Sequence, residues 1–557
     1  MAAGTRKKTD HNVAGGIARR VQRAWGESPF YQSQLKGPAP DRLALKPVDP
    51  YGADKALGEA IAAGRLSIGA QSVDCEGEID RLWPLAGRAG PLYDFLHRFV
   101  WLRHLAALGQ RGREPALRLA EAWFAENEKW SPESWEPYTT GERLVHLCCH
   151  GQVVLARGDA LWRSRVLTSM ARQTRHLALA GHRAGAAHER LMTAMALTVV
   201  ALALPGCESE AEKGVELLRR ELRLQIRPDG GHVSRNPSRQ LEIVVRLQMV
   251  LKALEARRMP TPGFLRHMIG RAAAHVQLFR CGDGKLAVFN GGFEDDGAAL
   301  SSALTLVDEA AEPTGFARHS GFQRLEAARS VLIADIGAAR GGATSTGNYQ
   351  GACSFHFSSA RSRIVVNCGS GAQLPGEWSN ALRQAAAHST LSTEPREAGA
   401  ALMRGALITH RRAEDIKGHL LEIERTFDAE ANAMRHIRRL YLAARGDDLR
   451  GEDRLIEPND ALRAGWRLRF HLHPGVRASL ARDGRSIILA LPNKEGWRFR
   501  CNFRNLMIER SIYCGAGGLP QSSEQIIIAP AEPQDGLEVE AGGDIVARWS
   551  FRRMDNA

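Results

Sequence analysis

The period of the hydrophobic residues changes partway along this 557-residue chain, and that change constrains the fold more than any other feature. From about Leu92 to Phe279 the apolar residues recur every three or four positions, which is typical of amphipathic helices. From about His319 onward, short segments alternate apolar and polar residues, which is typical of strands. Because a chain of this length is too long for one hydrophobic core, the change predicts a helical region followed by a sheet region.

The helical region contains eight periodic segments, separated by breakers such as Pro132, Pro205 and the turn that starts at Pro228. Helical hairpins that repeat with two apolar faces indicate an α/α toroid, and a plain helical bundle is the alternative. The predicted helices are Leu92–Leu108, Ala116–Ala125, Glu142–Ala156, Leu161–Ala180, Glu189–Leu204, Ala211–Ile226, Gln240–Ala256 and Gly263–Leu278.

The second region contains about a dozen strand-like segments with Asp-Gly and Gly turns, which indicates a large antiparallel β-sandwich. A β-hairpin is predicted from Ser354–Ser358 and Arg363–Asn367, followed by a return strand that carries His388. Further predicted strands are Val331–Ile336, Leu420–Phe427, Ile437–Leu442, Arg467–Leu472, Ser486–Leu491, Trp497–Phe503, Met507–Tyr513, Gln525–Ile528 and Ile545–Phe551.

The composition is that of a globular protein, with 44% apolar and 25% charged residues, which argues against disorder. The formal net charge of +13 favours a polyanionic partner, such as nucleic acid, anionic lipid or acidic polysaccharide. Most of the positive charge is arginine, whose guanidinium matches carboxylates and sulfates bidentately. A compositional bias of the genome explains the same excess of arginine and alanine equally well.

Cysteine usage and the N-terminus bear on location. The nine cysteines form no CxxC pair and no regular framework, although Cys353 and Cys368 could pair if the chain is exported. The basic N-terminus is followed by no apolar run, so it does not resemble a secretory signal. The longest apolar stretch, Leu191–Leu204, is too short to span a bilayer. We therefore expect a cytoplasmic protein without a transmembrane segment, unless the chain is exported by another route.

The most specific motif combines the strings SFHF, RIVVNCG and AAHSTL with Trp378 and Arg383, all between residues 352 and 391. This motif resembles the C-terminal β-domain of the heparinase II/III-like polysaccharide lyases. The resemblance implies an incomplete N-terminal α/α toroid followed by a large antiparallel β-sandwich. It divides the chain into a polar arm (1–40), a toroid (41–310) and a sandwich (311–557), and it leaves a periplasmic location open.

The resemblance also implies a reaction, the β-elimination of a uronate-containing glycan. In that reaction the C6 carboxylate is neutralised, a base removes the C5 proton and an acid protonates the departing O4. Histidine and tyrosine suit the acid and base roles, and Asn, Arg, His or a protonated acid suits the neutralising role.

Three residues of the helical region match positions where the family places site residues. Tyr138 and Arg143 lie in a W-x-x-Y-x-x-x-x-R string and are expected to bind substrate. His188 matches the histidine of an Asn-His string, in which Ala187 replaces the asparagine, and is expected to be catalytic. A helix cap with a structural ion pair, and a buried structural histidine, are the alternatives.

The loop after Arg227 resembles a family loop between two helices. Its proline and paired glycines place three candidates on loop rather than on helix, where sites are commonly built. They are His232 as a catalytic residue, and Arg235 and Asn236 as substrate-binding residues. Many relatives carry a tyrosine a few residues later, where this chain has Arg239-Gln240.

In the sheet region, His388 and Tyr349 are the expected catalytic residues, and Trp378 and Arg383 are expected to bind substrate. A structural role is the alternative for His388. Tyr349 stands where metal-binding relatives have a histidine, so a His/Asp/His zinc site cannot be assembled, and we expect no metal and no other cofactor. Tyr349 could act as base or acid if a nearby arginine favours its ionised form. A His471-x-His473 pair lies on one strand but has no evident third ligand.

These observations favour a polysaccharide lyase that acts on an acidic, uronate-containing glycan. The alternative is a non-catalytic protein on the same fold, which binds acidic glycan or assists surface-polysaccharide assembly. A nucleic-acid partner is not expected, because no nucleic-acid-binding motif occurs and aromatic content is only 6%. The sequence leaves the glycan and the oligomeric state open.

Overall fold

The computed structural model describes residues 23–155, 159–295, 297–305, 315–337, 349–393, 407–426, 435–456, 465–530 and 543–554. The chain forms two compact units. The helical unit comprises Met1–Gln225 and Val245–Arg266, and the sheet unit comprises Ile226–Val244 and His267–Ala557. The predicted boundary after residue 310, and the first 22 residues of the predicted arm, lie outside the described residues.

The helices follow the predicted periodicity closely, and their bounds differ from the predicted ones mainly at the ends. The helix predicted over Leu92–Leu108 is two helices, because the fully buried Phe99 takes a φ of +58° that an α-helix cannot continue. The helices are Pro29–Gln34, Lys55–Ala62, Leu82–Leu85, Pro91–His97, Trp101–Ala106, Gln110–Asn127, Pro137–His150, Gln152–Leu155, Ala160–Ala180, Ala187–Ala203, Glu208–Gln225, Pro237–Ala256, Gly263–Leu278, Gly297–Thr305 and Gly376–Ala381.

Nineteen strands occur among the described residues, and each of the paired strands is antiparallel to its neighbour. They are β1 (Arg65–Ile68), β2 (Gln71–Asp74), β3 (Phe316–Ala317), β4 (Phe322–Ala327), β5 (Ser330–Asp335), β6 (Phe355–Ser359), β7 (Ser362–Val366), β8 (Leu391–Thr393), β9 (Leu407–Asp415), β10 (Gly418–Thr426), β11 (Arg435–Ala443), β12 (Asp448–Ile456), β13 (Trp466–Leu472), β14 (Arg477–Leu480), β15 (Ser486–Ala490), β16 (Gly496–Cys501), β17 (Leu506–Tyr513), β18 (Gln521–Ile528) and β19 (Ile545–Arg553).

The sheet unit is a sandwich of two open sheets. One sheet has the order β17-β18-β13-β7-β6-β5-β4-β3, with β8 paired to β13, and the other has the order β14-β15-β16-β19-β12-β11-β10-β9. Their inner faces share one apolar core, in which Phe355 of the first sheet stacks on Trp549 of the second at 5.7 Å between ring centroids. The predicted antiparallel sandwich is therefore confirmed, while the β1–β2 hairpin was not predicted.

Both strands of the hairpin β6–β7 lie one residue closer to the turn than predicted, so the turn is shorter. Ala360, in the turn, has a φ of +48° and donates its N–H to the carbonyl of Arg329 at 2.7 Å. His388 directly follows a short 3-10 helix, Ala385–Ala387, so it precedes the return strand β8 instead of lying in it. Both Cys353 and Cys368 are free, buried thiols and form no disulfide.

None of the helices in the described part of the chain is long and apolar enough to cross a membrane.

Candidate functional site

Tyr349 and His388 meet in the sheet unit, although 39 positions separate them in the chain. Their rings lie edge to face, with centroids 6.1 Å apart and planes at 81°. Tyr349 is half-buried, whereas only 3% of His388 is exposed. The phenol is therefore the more accessible group of the pair, and the imidazole lies beneath the surface beside it.

Two backbone segments hold this pair in place. The N–H of Gln350 donates to the carbonyl of Arg383 at 2.8 Å, and its side-chain oxygen accepts from the N–H of Ala385 at 3.2 Å. The backbone of Gly351 packs closely against the imidazole. A Cβ at this position would be only 3.0 Å from Nδ1 of His388. A side chain at position 351 would therefore require the imidazole of His388 to shift.

His388 is an unusual buried histidine, since neither of its ring nitrogens has a hydrogen-bond partner among the described residues. Burial lowers the pKa of His388 to about 4, because removing the imidazolium from water disfavours the charged form. The side chain is therefore neutral near pH 7 and retains an available acceptor nitrogen. Buried polar groups in folded proteins are normally paired, so this side chain is available for a ligand or a reaction.

Arg383 supplies positive charge beside the pair. Its guanidinium carbon lies 6.0 Å from the ring centroid of Tyr349, and its buried Nε has no hydrogen-bond partner among the described residues. Trp378 lies in the short helix Gly376–Ala381, which leads to Arg383, and it is half-buried. The structure thus brings Tyr349, His388 and Arg383 together, and their predicted catalytic and substrate-binding roles stay predictions.

A tight turn at Asn290–Gly292 borders the phenol. Gly291 has a φ of +79°, and a Cβ there would be 2.3 Å from the hydroxyl oxygen of Tyr349. The turn is held by two hydrogen bonds, from Asn236 Nδ2 to the carbonyl of Asn290 at 3.1 Å and from Asn290 Nδ2 to the carbonyl of Arg235 at 3.0 Å. Asn236 therefore supports the wall of the site through this turn.

Replacing Gly291 with alanine is expected to displace Tyr349, because the new Cβ would collide with the phenol oxygen. The expected result is faster nitration of Tyr349, measured by peptide mass spectrometry of the folded protein. Gly517→Ala is the matched control, because Gly517 also has a positive φ of +69° but has nothing within 4 Å of an added Cβ. Equal nitration of Tyr349 in both variants would contradict this account of the turn.

The loop residues His232 and Arg235 are tied to the protein framework. Nδ1 of His232 contacts Oγ of Ser234 at 2.7 Å, and the side chain is almost fully buried. The Arg235 guanidinium donates to the carbonyl of Ser320 at 2.7 Å, pairs with Asp335 and lies 4.6 Å from the ring centroid of Phe322. These contacts favour a role for Arg235 in fixing the loop, and its predicted contact with substrate stays a prediction.

Two of the three candidates of the helical unit, Arg143 and His188, are buried. Arg143 is completely buried, donates to Gln173, Thr140 and the carbonyls of His97 and Ser134, and lies over Trp123. This full set of protein partners favours a structural arginine. His188 is buried near the start of the helix Ala187–Ala203. Its predicted catalytic role stays a prediction.

Tyr138 has a more open position. Glu136 caps its helix by accepting from the N–H groups of Tyr138 and Thr139, at 3.1 and 2.8 Å. The guanidinium of Arg98 lies 4.6 Å from the ring centroid of Tyr138 and pairs with Asp94 at 3.1 Å. The half-buried phenol and this arginine form a polar cluster of the helical unit, and Arg98 was not predicted as a member.

The two imidazoles of the His471-x-His473 pair have different protein partners. His471 contacts Oγ of Ser511 at 2.8 Å and the carbonyl of Ala386 at 3.0 Å, whereas His473 contacts Glu294 at 3.2 Å. No group of three or more His, Cys, Asp or Glu residues with metal-binding geometry occurs in the described ranges. The expected ligand set for a His/Asp/His zinc site includes positions before Tyr349, and residues 338–348 lie outside those ranges.

A buried charged network, which was not predicted, fixes the backbone on both sides of the site. Arg438 donates to the carbonyls of Cys353 and Ser389, at 2.8 and 3.0 Å, and forms a two-point ion pair with Asp453. Asp453 also accepts from His436 at 2.7 Å and from the Trp549 indole at 2.8 Å. Cys353 follows the Tyr349 segment and Ser389 follows His388, so one arginine joins the two segments that carry the site.

Comparison with known proteins identifies the family. Residues 309–542 match the model for "Heparinase II/III-like, C-terminal", which covers most of the sheet unit. FtsZ-localized protein C of Caulobacter vibrioides (strain NA1000 / CB15N) is 30% identical over 570 residues, which cover 98% of this chain and 96% of that protein.

Solved structures of polysaccharide lyases share the fold at low sequence identity. Heparinase III aligns with a TM-score of 0.72 and 14% identity, over 96% of this chain and 92% of that one. A mutant of the heparan sulfate lyase HepC from Pedobacter heparinus aligns with a TM-score of 0.60 and 14% identity, over 99% of this chain and 91% of that one. The helices and open antiparallel sheets described above thus correspond to the toroid and sandwich of these lyases, and the chain belongs to the heparinase II/III-like family.

Proposed function

We propose that this protein cleaves an acidic, uronate-containing polysaccharide by β-elimination at the Tyr349–His388–Arg383 site. One observation carries the proposal: a neutral imidazole without a described partner lies against a half-buried phenol, beside an arginine whose Nε is also unpaired among the described residues. The three side chains match the three requirements of the reaction, which are a base, an acid and a cation for the carboxylate.

The proposed steps assign one role to each group. Arg383 pairs with the C6 carboxylate and makes the C5 proton more acidic. His388, neutral at pH 7 because of its lowered pKa, accepts the C5 proton. The C5–H electrons form the C4=C5 double bond, the C4–O4 bond breaks, and the Tyr349 hydroxyl donates its proton to the departing O4. The new products are an unsaturated uronate and a free O4 hydroxyl.

Substituting Tyr349→Phe or His388→Gln is expected to reduce the elimination rate by about 10²- to 10⁴-fold, the usual contribution of a positioned acid or base. The rate is measured as the rise in ultraviolet absorbance of the unsaturated uronate, with heparin, heparan sulfate, hyaluronan, chondroitin and alginate as substrates. Tyr51→Phe and the exposed His267→Gln are the matched controls from the helical and sheet units. Unchanged rates in both site variants would show that these residues do not perform the chemistry.

A second candidate function is glycan binding without cleavage, in a protein that acts at the cell-division site. The full-length relative named FtsZ-localized protein C motivates this candidate. Two features of the chain also favour it. His388 is almost completely buried, and Arg239-Gln240, in the helix that follows the His232 loop, stands where many relatives have a tyrosine. Gln240 has a structural role, because its side-chain oxygen accepts a hydrogen bond from the backbone N–H of His232 at 2.7 Å.

The two candidates predict different results in one pair of assays. A lyase gives a time-dependent absorbance signal on at least one acidic glycan. A binding protein gives no such signal, retains the glycan in a salt-sensitive manner and sediments with FtsZ polymers. Absence of glycan binding at low salt would contradict both candidates.

A further inference from the structure

A groove rich in arginine crosses the outer face of the second sheet, on strands β11, β12, β16 and β19 of the sheet unit. Its volume is about 910 Å³, and seven arginines but only two acidic residues line it. The arginines are Arg439, Arg450, Arg498, Arg500, Arg548, Arg552 and Arg553, and the acids are Asp448 and Glu452. The Tyr349–His388 site adjoins β8 of the other sheet, so the groove is separate from it.

The strand register places two arginines directly opposite each other. Arg498 on β16 is the partner of Arg552 on β19, and the next residues along the outer faces pair Arg500 with Ser550. Side chains that face each other in this way have Cβ atoms about 5 Å apart, and like charges there are destabilising. A pair of this kind costs stability unless an anion lies between the two guanidinium groups.

Asp448 on β12 lies directly opposite Arg552 on the other side of β19, but neither acid of the groove forms an ion pair with Arg498 or Arg552 among the described residues. Asp448 is engaged by Arg450 at 2.7 Å, and Glu452 is shared between Arg439 at 3.1 Å and Arg548 at 2.9 Å. In contrast, Arg498 and Arg552 have no ion-pair partner in the described part of the chain.

The unmatched charge also includes a buried donor. Nε of Arg498 is buried and lacks any hydrogen-bond partner among the described residues. An unpaired buried donor is costly, and an anionic ligand would satisfy it. At this end of the groove Asp448 lies opposite Arg552, whereas Arg498 lies between Ile488 and Arg552, so the net positive charge favours an anionic ligand.

We propose that this groove is a second binding site for an acidic polysaccharide, centred on Arg498 and Arg552. Planar guanidinium groups bind carboxylates and sulfates bidentately, and the groove contains arginine but no lysine. The acids and the Ser550 hydroxyl add acceptors, which sugar hydroxyl groups need and a bare row of cations would lack. The proposal shares its ligand class with the proposed function but does not depend on cleavage.

The position of the groove argues against an acidic peptide as its occupant. Strands β11, β12, β16 and β19 are each paired on both sides, so a peptide cannot add to the sheet as a further strand. A bound helix would need a row of apolar anchors, whereas the exposed part of the lining is mainly arginine. A glycan needs neither feature, because it is bound through side-chain contacts to its carboxylates and hydroxyls.

The test compares Arg498→Gln/Arg552→Gln with a control pair, Arg477→Gln/Arg482→Gln, in the full chain. The control removes the same charge from exposed arginines near the β14 edge of the same sheet. Binding of heparin and hyaluronan oligosaccharides is measured by calorimetry at low salt, in a Tyr349→Phe background that prevents cleavage. We expect the groove pair to weaken binding about tenfold or more, and the control pair to change it less than twofold.

Other results would contradict the groove as a site or the glycan as its occupant. Equal weakening by both pairs would show general charge attraction and would overturn the site. Absence of binding to both glycans, or tighter binding of poly-glutamate than of either glycan, would overturn the glycan as occupant. The single variant Arg498→Gln repeats the test if the double variant does not fold, as judged by circular dichroism. Retained groove binding together with no cleavage of any glycan would contradict the proposed function alone.

Discussion

Replacing Asp453 with asparagine is expected to destabilise the sheet unit by about 3–5 kcal/mol, because it leaves the fully buried Arg438 without its counter-ion. Burial opposes ionisation of Asp453, but Arg438 and His436 hold the pKa of its carboxyl well below the usual range. The acid is thus charged at neutral pH and compensates the guanidinium. Hydrogen exchange of peptides that cover β10–β12, analysed by mass spectrometry, measures the loss of stability in this unit.

The matched control is Asp447→Asn, which breaks an ion pair with Arg445, a residue that is 84% exposed. An exposed pair contributes about 0–1 kcal/mol, so this variant should resemble the wild type. A double variant, Asp453→Asn/Arg438→Met, should recover part of the lost stability, because it removes the uncompensated charge. A loss below about 1 kcal/mol in Asp453→Asn would contradict the role assigned to the network.

The same variant also tests how the site is held. Arg438 donates to the carbonyls of Cys353 and Ser389, so a shift of its guanidinium would loosen the segments that carry Tyr349 and His388. We therefore expect Asp453→Asn to reduce activity or glycan binding at the Tyr349–His388 site at temperatures where the unit is still folded. Asp453 acts through Arg438 and does not itself approach the ring of Tyr349.

Much of the architecture could be predicted, because burial imposes a period on the sequence. The helices Ala160–Ala180 and Gly263–Leu278 begin and end within one residue of their predicted bounds. Strand β12, with the sequence DLRGEDRLI, was missed because its inward positions include Gly451 and Asp453 in place of apolar residues. The inward-facing Asp453 is stabilised by Arg438 and His436 on β11. A pairing between different strands cannot be recognised from the sequence of one strand.

The site could be predicted only in part, for a similar reason. Tyr349, His388 and Arg383 were all predicted as site residues, and the structure places the three side chains beside one another, while their roles stay predictions. Glycines 291 and 351, which shape the space around these rings, carry no functional group that a motif search would select. The hydrogen bonds of Arg143 could not be predicted either, because a sequence does not show whether an arginine contacts a substrate or the protein core.

Acidification is expected to unfold both units between about pH 6.5 and pH 4, because many histidines are buried in the neutral form. Burial, which disfavours the imidazolium, lowers the pKa of six of them to about 3 or 4. These are His97, His146 and His176 of the helical unit, and His275, His388 and His471 of the sheet unit.

The direction of this pH effect follows from how many protons the native and the unfolded protein bind. An unfolded chain binds protons at these residues below pH 6.5, whereas the native units bind them only near pH 4 or lower, so stability falls as the pH falls through this range. Each histidine then loses about 2 kcal/mol of stability between pH 7 and pH 5. Three histidines in each unit together lose about 6 kcal/mol, which is comparable with the whole stability of a typical domain.

Calorimetric unfolding and potentiometric titration across pH 4–7 would measure this loss and the accompanying proton uptake. His388→Gln should reduce the uptake by about one proton, because the variant lacks one group that titrates only on unfolding. A control variant at an exposed histidine, His267→Gln, tests whether the loss of any histidine has the same effect. Two units that stay folded while these histidines take up protons near pH 6.5 would show that the imidazoles are less buried than the structure places them.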